Sequence, residues 1–382
     1  MGGSGVIPRW KLRRELTRVW QQILNMPMRI MEPGRKRRYD RDRWQKIRIS
    51  EGALPRADKL CLFLVWQPGQ LNSSVTSTLR FLQRNGYSVL VVANGGLIDA
   101  AREACLPLCW RLLERPNFGY DFGGYRDGVH WLEHESIVPE RFLILNDSIW
   151  FPLNQDSDVL SRLEGCGFDP AGLLLHTRSR YEHLNEKRPR GSFIESYVLL
   201  MGKVLYESEA FRAFWRDYPL TNSKQLTIKR GEIGFSKAMW DAGFNPGALS
   251  RRSFFLEAIR QKDDDFLSRT LRYAAYSDDD LRVECDQLLA AGLGPDWRAR
   301  VLDHIERTVY RRRFNTSFCS ASEEIFGLSF HKKNRETLFR RGRISFLRAV
   351  DDGLIRVSEA ETLAEIRALS HKQEATSKGD GK

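Results

Sequence analysis

The sequence predicts an α/β layer structure with a mostly parallel sheet flanked by helices, and three observations carry that expectation. Short, continuously apolar runs such as KLCLFLVW (59–66) and FLIL (142–145) fit strands buried on both faces. These runs alternate with stretches of helical periodicity. Each strand candidate then runs into polar residues: Asn94-Gly95-Gly96, Asn117 to Asp127, and Asn146-Asp147-Ser148.

In chain order, the first element is a basic arm. Residues 1–50 hold 14 Lys and Arg against 4 Asp and Glu, whereas the remaining chain holds 47 against 45. The formal charge of +12 therefore belongs to the arm, and the body is nearly neutral. WKLRRELTRVWQQIL places Trp10, Leu12, Leu16, Val19, Trp20, Ile23 and Leu24 at roughly helical spacing, and a second basic cluster (35–48) follows a break expected at Pro33-Gly34. Trp rings among Arg and Lys suit the headgroup layer of an anionic membrane, which would engage residues 8–48. Plain packing on the domain and nucleic-acid contact are the alternatives, and the near-neutral body argues against nucleic acid.

From residue 58 the pattern is strand, helix, strand. KLCLFLVW is a strand, VTSTLRFLQRNG a helix stopped at Gly86, and YSVLVVANGG (87–96) the next strand. LIDAAREACL is a short helix, CWRLLERPN (109–117) a third strand, and YRDGVHWLEH a helix after the glycine-rich stretch. RFLILNDSIWFP (141–152) and AGLLLHTRSR (171–180) are further strands, and SYVLLMGKVLYES (196–208) is a strand passing into a helix. SEAFRAFWRDY (208–218) is helical, as is the stretch that RGEIGFSKAMWDAGF (230–244) opens. Asp-rich helix starts mark a mainly helical region over 263–370, and 371–382 is expected to be disordered. The body between 55 and 262 is one domain.

Bulk properties exclude several classes. With 42% apolar and 29% charged residues in 382, the chain is long enough for two or three folding units and is not globally disordered. No run reaches the roughly 18–20 apolar residues of a membrane span. MGGSGVIPRW lacks the pattern of a secretory signal, and six cysteines without a CxxC fit a reducing cytoplasm. Cys105 and Cys109 read as small apolar side chains.

Ligands of open parallel sheets bind beyond the carboxyl ends of the strands. In RPNFGYDFGGYRDG (115–128), Gly119, Gly123 and Gly124 would let backbone amides approach a phosphate or ribose. Asp121 would accept from hydroxyls, Tyr120 would stack on a base, and Arg126 would neutralise a diphosphate, with Asn94, Asn117, Asn146 and Ser148 supplying further contacts. A structural loop whose aromatics fill the core explains the same composition. Asp147, at the end of a buried strand, needs a partner: a divalent cation, a phosphate, an arginine or a capping role.

RPNFGYDFGGYRDG followed by FLILNDSIWFPL resembles the paired signature of the rhamnan synthesis F family of glycosyltransferases of bacterial surface polysaccharide assembly. Asn117, Gly119, Asp121 and Gly123 match its Asn-x-Gly-x-Asp-x-Gly segment, and Asn146, Asp147 and Ser148 its strand end. The resemblance covers roughly residues 58 to 250. It implies a GT-A-like (Rossmann-like) domain that binds a nucleotide-diphosphate sugar, rhamnose or another hexose, and serves a lipid-linked or polysaccharide acceptor. The setting it implies is the cytoplasmic, inner face of the bacterial inner membrane. Such folds hold Mg or Mn on an Asp-x-Asp motif, which Asn146-Asp147-Ser148 departs from, so Asp147 is the one metal candidate. The resemblance makes Glu232, near the start of a late helix, the candidate base; a glutamate serving the helix dipole is its plain alternative. His176 is a second catalytic candidate on the acceptor or phosphate side, against a satisfied strand-end histidine. RSRYEHLNEKRPRGS (178–192) reads as a loop that closes over the donor or as a solvated charge run. A scaffold of the same fold without activity is the alternative function, with a nucleic-acid-binding protein behind it.

Overall fold

The strand runs pack as their composition demands. β2 (Lys59–Val65), β3 (Tyr87–Asn94), β4 (Arg111–Arg115) and β5 (Arg141–Asn146) lie parallel in the order β4-β3-β2-β5, with β3 buried along its whole length. β1 (Arg48–Glu51) adds antiparallel to the β4 edge. On the other side β9 (Val198–Gly202) runs antiparallel to both β5 and β7 (Ala171–His176). β10 (Gly247–Arg251) closes the row parallel to β7, and β8 (Phe193–Ile194) pairs with β7. The computed structural model describes residues 26–177 and 191–377, so the amphipathic segment 8–24 and most of the expected closing loop 178–192 lie outside the described residues.

Strand side chains alternate between two faces, and the two faces build two cores. Cys61, Phe63, Val65, Val91, Leu143 and Leu145 face α2 (Ser73–Arg84), α5 (Val159–Gly165) and the C-terminal helices. Leu60, Leu62, Leu64, Val92, Phe142 and Ile144 face the opposite layer. That layer holds α4 (Tyr120–His134), α7 (Glu209–Asp217) and α9 (Ile233–Asp241). The shorter α3 (Asp99–Cys105) and α6 (Lys203–Glu207) precede β4 and α7. α8 (Lys224–Thr227) leads through a π-helical turn, Ile228–Glu232, directly into α9. Each fully buried Leu, Ile, Val or Phe contributes about 1.5–3 kcal/mol, so the two faces are the main source of stability.

Beyond β10 the chain is helical: α10 (Arg252–Arg260), α11 (Asp264–Arg272), α12 (Asp279–Ala291) and α13 (Trp297–Arg311). α14 (Phe314–Ser317), α15 (Cys319–Phe326), α16 (Thr337–Asp351) and α17 (Ala360–Ser377) follow. Asp263 caps α11 by accepting the Phe266 N–H at 2.8 Å. Leu267, Val301, Ile305, Phe314 and Phe318 join the same apolar cluster as the sheet, so this region shares the first core. One short strand interrupts it. β11 (His331–Lys332) pairs antiparallel with β6 (Ile149–Trp150), just past the end of β5.

Three local expectations are corrected. α1 (Met26–Lys46) continues through Pro33, where a break was expected. Contacts on both sides of Pro33 hold its axis: Glu32 with Thr221 and Arg230, and Asp40 with Arg126. They offset the hydrogen bond that proline cannot donate. Second, the glycine-rich stretch is not a loop before a helix, because α4 starts at Tyr120 and contains Gly123 and Gly124. Third, α17 runs to Ser377, into the segment expected to lack order. The six cysteines are free, and Cys105 and Cys109 are both buried, the packing role their setting implied.

Candidate active site

The stretch 115–128 divides into two faces. On its inner side Arg115 and Asp127, both fully buried, form an ion pair at 2.6 Å. Arg115 also donates to Asn94 Oδ1, to Tyr39 Oη at 2.9 Å and to Phe118 O at 2.7 Å, and Tyr39 donates to Asp127. Arg126 reaches Asp40 at 2.7 Å and Trp215 O at 3.1 Å. Every charge here has a partner, and the second half of α1 supplies several of them. The 35–48 cluster therefore docks part of its length on the body, the packing alternative for that segment.

Glycine serves packing as well. A Cβ at Gly124 would stand 2.2 Å from Leu64 Cδ1, so glycine here lets α4 press onto β2. Gly119 holds a φ of 88° and turns the chain into α4, and its N–H donates to Asn222 at 2.9 Å. Tyr120 follows with a φ of 52°, left-handed backbone that a tyrosine adopts only under constraint.

On the outer face Asp121, Asp147 and Glu232 stand close together without a direct ion pair among the described residues. Asn146, the last residue of β5, donates to Asp121 at 3.3 Å and to Tyr125 Oη at 2.8 Å. Tyr125 donates to Ser196 O at 3.0 Å, and Ser196 Oγ donates to Glu232 at 2.8 Å. Asn146, Tyr125 and Ser196 thus link Asp121 to Glu232 residue by residue, without one continuous hydrogen-bond chain. Beside it, Asp147 accepts from the Trp66 N–H at 2.9 Å and from Gln67 Nε2 at 2.7 Å. Burial, then the charges of Asp147 and Glu232, push the Asp121 carboxyl up to about 7. Burial also raises Asp147, and burial with the charge of Glu195 raises Glu232. Glu232 ends the π-turn inside a continuous helical run and not at a helix start, which removes the helix-dipole explanation for it.

The C-terminal region completes the site. Glu195, buried, pairs with Arg313 and with Lys332 of β11. Burial alone would raise Glu195, but Lys332 and Arg313 hold its carboxyl at about 2. Lys333 donates to Ser74 Oγ at 3.0 Å, and its charge draws the Asp147 carboxyl down against burial. Among the described residues no three His, Cys, Asp or Glu side chains gather as a metal centre. The surroundings of Asp147, two hydrogen-bond donors and a lysine, do not fit a resident divalent cation.

The structure brings Asp121, Asn146, Asp147 and Glu232 together, with Ser148 held against Asn146 by its N–H at 3.1 Å. Asn117 and Tyr120 are exposed on the same turn. Asn94, Gly124 and Arg126 instead sit in the internal contacts described above, and a Cβ at Gly123 would stand 2.1 Å from Phe118 O. His176 ends β7 and packs on Phe193 with ring centres 4.9 Å apart. Sequence reasoning missed Trp66 (59% exposed) and Gln67, which the strand-end rule marks once it is applied to β2 as well. It also missed Ser196, Glu195, Arg313, Lys332 and Lys333, for which no local pattern exists.

Residues 89–268 match the family described as rhamnan synthesis protein F. The resemblance read from the motifs is confirmed over that span. The rhamnan synthesis F span contains Asp121, Asp147, Glu195 and Glu232, whereas α1, Arg313, Lys332 and Lys333 lie outside it. The chain is also 31% identical over 250 residues to the uncharacterized protein y4gN of Sinorhizobium fredii, covering 65% of this chain and 63% of that protein. It is 25% identical over 202 residues to the virulence protein VirA of Vibrio anguillarum, covering 52% and 59%. The chain thus spans about three fifths of the length of these curated relatives. A crystal structure of a glycosyltransferase involved in glycosylation of the major capsid of PBCV-1 aligns over 44% of this chain and 74% of that one, at 13% identity. Its TM-score of 0.25 is too low to equate the two folds.

Proposed function

We propose that the chain is a glycosyltransferase that moves a sugar from a nucleotide-diphosphate donor to a growing bacterial surface polysaccharide or a lipid-linked acceptor. The observation that carries this reading is the carboxylate cluster Asp121, Asp147 and Glu232 at the strand ends, within the span that matches a polysaccharide-synthesis family. Trp66 and Tyr120, two exposed rings adjoining cluster residues, supply stacking surface for a base or sugar.

In this reading Glu232 is the base. Its raised carboxyl holds a proton more readily than an ordinary glutamate, as a base working near neutrality needs. The acceptor hydroxyl loses its proton to Glu232 as its oxygen bonds to the anomeric carbon, and the bond from that carbon to the donor phosphate oxygen breaks. The nucleoside diphosphate departs with that electron pair. Asp147 and Asp121 orient donor hydroxyls. Lys333 offsets negative charge beside Asp147, so no step here is routed through a metal ion. Among the described residues no helix is long and apolar enough to cross a membrane, and contact with a membrane surface belongs to the proposal through the basic segment 8–48.

The deciding experiment is a thermal-shift series of nucleoside diphosphates and their sugars, each with and without Mg²⁺ or Mn²⁺. A donor that raises the melting temperature in wild type and not in Asp147→Ala is the expected result. If no nucleotide stabilises the protein, the transferase reading fails.

A further inference from the structure

A diphosphate at a strand end is commonly held by a helix N-terminus or by a divalent cation. Neither device is free here. The N-terminus of α2, which follows β2, already holds a carboxylate. Glu365 of α17 accepts the Ser74 N–H at 2.8 Å and the Trp150 Nε1–H at 3.1 Å. Asp147 commits Oδ2 to the Trp66 N–H and to Gln67 Nε2 and lies under the charge of Lys333, surroundings that do not suit a divalent cation.

Lys333 is the positive group left at this strand end. Its backbone N–H donates to Ser148 O at 2.9 Å, which fixes it beside Asp147. Its ammonium donates to Ser74 Oγ at 3.0 Å and lies 5.5 Å from the centre of the Trp150 ring. An ammonium carries three N–H donors, so a bond to one neutral hydroxyl leaves donors for a ligand. Asp147 and Glu365 act on it through their charges, and among the described residues no carboxylate stands within ion-pair distance of it. Lys332 differs, because it pairs directly with the buried Glu195. Of the two adjacent lysines, one matches an internal carboxylate and the other keeps its capacity to bind. Burial lowers the pKa of Lys333 from its ordinary value, and an anion beside it would offset that cost.

We propose that Lys333 donates to the diphosphate of the sugar donor and takes up the charge of the leaving group, so that transfer proceeds without a divalent cation. The inference rests on the transferase reading and deepens it by naming the group that meets the diphosphate. As the bond from the anomeric carbon to the phosphate oxygen breaks, its electron pair leaves with the nucleoside diphosphate. Lys333 keeps its proton, and its hydrogen bonds strengthen as that oxygen gains charge. Lys333 lies outside the rhamnan synthesis F span, so the C-terminal region supplies a catalytic residue of its own.

Calorimetric titration of the full chain tests the assignment. The probes are inorganic diphosphate and the mono- and diphosphates of uridine, thymidine, guanosine and adenosine, first in EDTA and then in excess Mg²⁺. At least one nucleoside diphosphate should bind in EDTA, and Mg²⁺ should tighten it by no more than about threefold. Lys333→Gln should weaken that diphosphate about tenfold or more and leave the matching monophosphate within about twofold. A merely structural role would weaken both alike. Lys333→Arg, which keeps the charge, should restore most of the affinity. Binding that requires Mg²⁺ in wild type overturns the proposal without recourse to any variant. Equal diphosphate affinity in wild type and Lys333→Gln, or parallel loss of mono- and diphosphate, overturns it too. Failure of the transferase reading looks different: inorganic diphosphate binds with the same Lys333 dependence while no nucleotide binds. If neither binds, both readings fall.

Discussion

Asp121 and Asp127 stand six positions apart on α4, and their surroundings are opposites. Asp127 lies in a buried network where Arg115 and Tyr39 meet its carboxylate. Asp121 faces Asp147 and Glu232, and its main hydrogen-bond partner is an asparagine amide. Charge matched on the inner face fixes α1 and α4 to the sheet. Carboxylates crowded together on the outer face cost stability, and such sites are where binding and proton transfer concentrate. Glu195 is the intermediate case, a buried carboxylate matched by residues that arrive from the C-terminal region.

The comparison breaks most readily at its extremes. Glu232→Gln should lower turnover by about 10²- to 10⁴-fold in a transfer assay while donor binding by thermal shift persists. Wild-type turnover in that variant would remove Glu232 from the chemistry. Arg115→Met should destabilise by about 3–5 kcal/mol in urea unfolding, because it leaves Asp127 buried without its cation. A loss below about 1 kcal/mol would show that the network is not matched as described. Gly124→Ala, forced against Leu64, should cost about 1–3 kcal/mol by the same measurement.

The pH dependence sharpens the contrast further. The folded carboxyl of Asp121, at about 7, lies above its unfolded value of 3.8, so the native state keeps a proton that the unfolded chain has lost. Its contribution to stability therefore falls as pH rises from about 4 to about 7, with a slope approaching about 1.4 kcal/mol per pH unit. Asp121→Asn should flatten that part of the urea-derived stability profile. Glu195 works in the other direction. Its folded value of about 2 lies below 4.5, so its contribution is present above pH 4.5 and lost as pH falls towards 2, and Glu195→Gln should remove that acid limb. The smallest effect is expected from Arg216→Ala. That change breaks a solvent-exposed pair with Glu209 and should leave the urea midpoint within error of wild type.

Much of the sheet was legible because β2, β3 and β5 are continuous apolar runs whose period and flanking turns admit few other readings. Asp147 was legible for a related reason: a carboxylate that closes a buried strand stands out. The glycines of 119–124 were harder. Close approach of a backbone to a phosphate and close approach of a helix to a sheet leave the same residue in the sequence, and only the position of Leu64 separates them at Gly124. Arg126 was read as a ligand contact because its partner Asp40 stands far back in the chain. Lys332 and Lys333 had no signature at all, since a two-residue strand carries no periodicity.

That two-residue strand sets a timetable for the protein. β6 leaves the ribosome roughly 180 residues before its partner β11 does. At about 5–20 residues per second, Asp147 waits roughly ten to forty seconds for the lysine that offsets its charge. A nascent chain halted after β10 would hold Asp121, Asp147, Glu195 and Glu232 with neither Lys332 nor Lys333 to balance them. Until β11 emerges, Glu195 and Asp147 lack lysines that act on them in the finished fold, so the complete site assembles only after that strand is made.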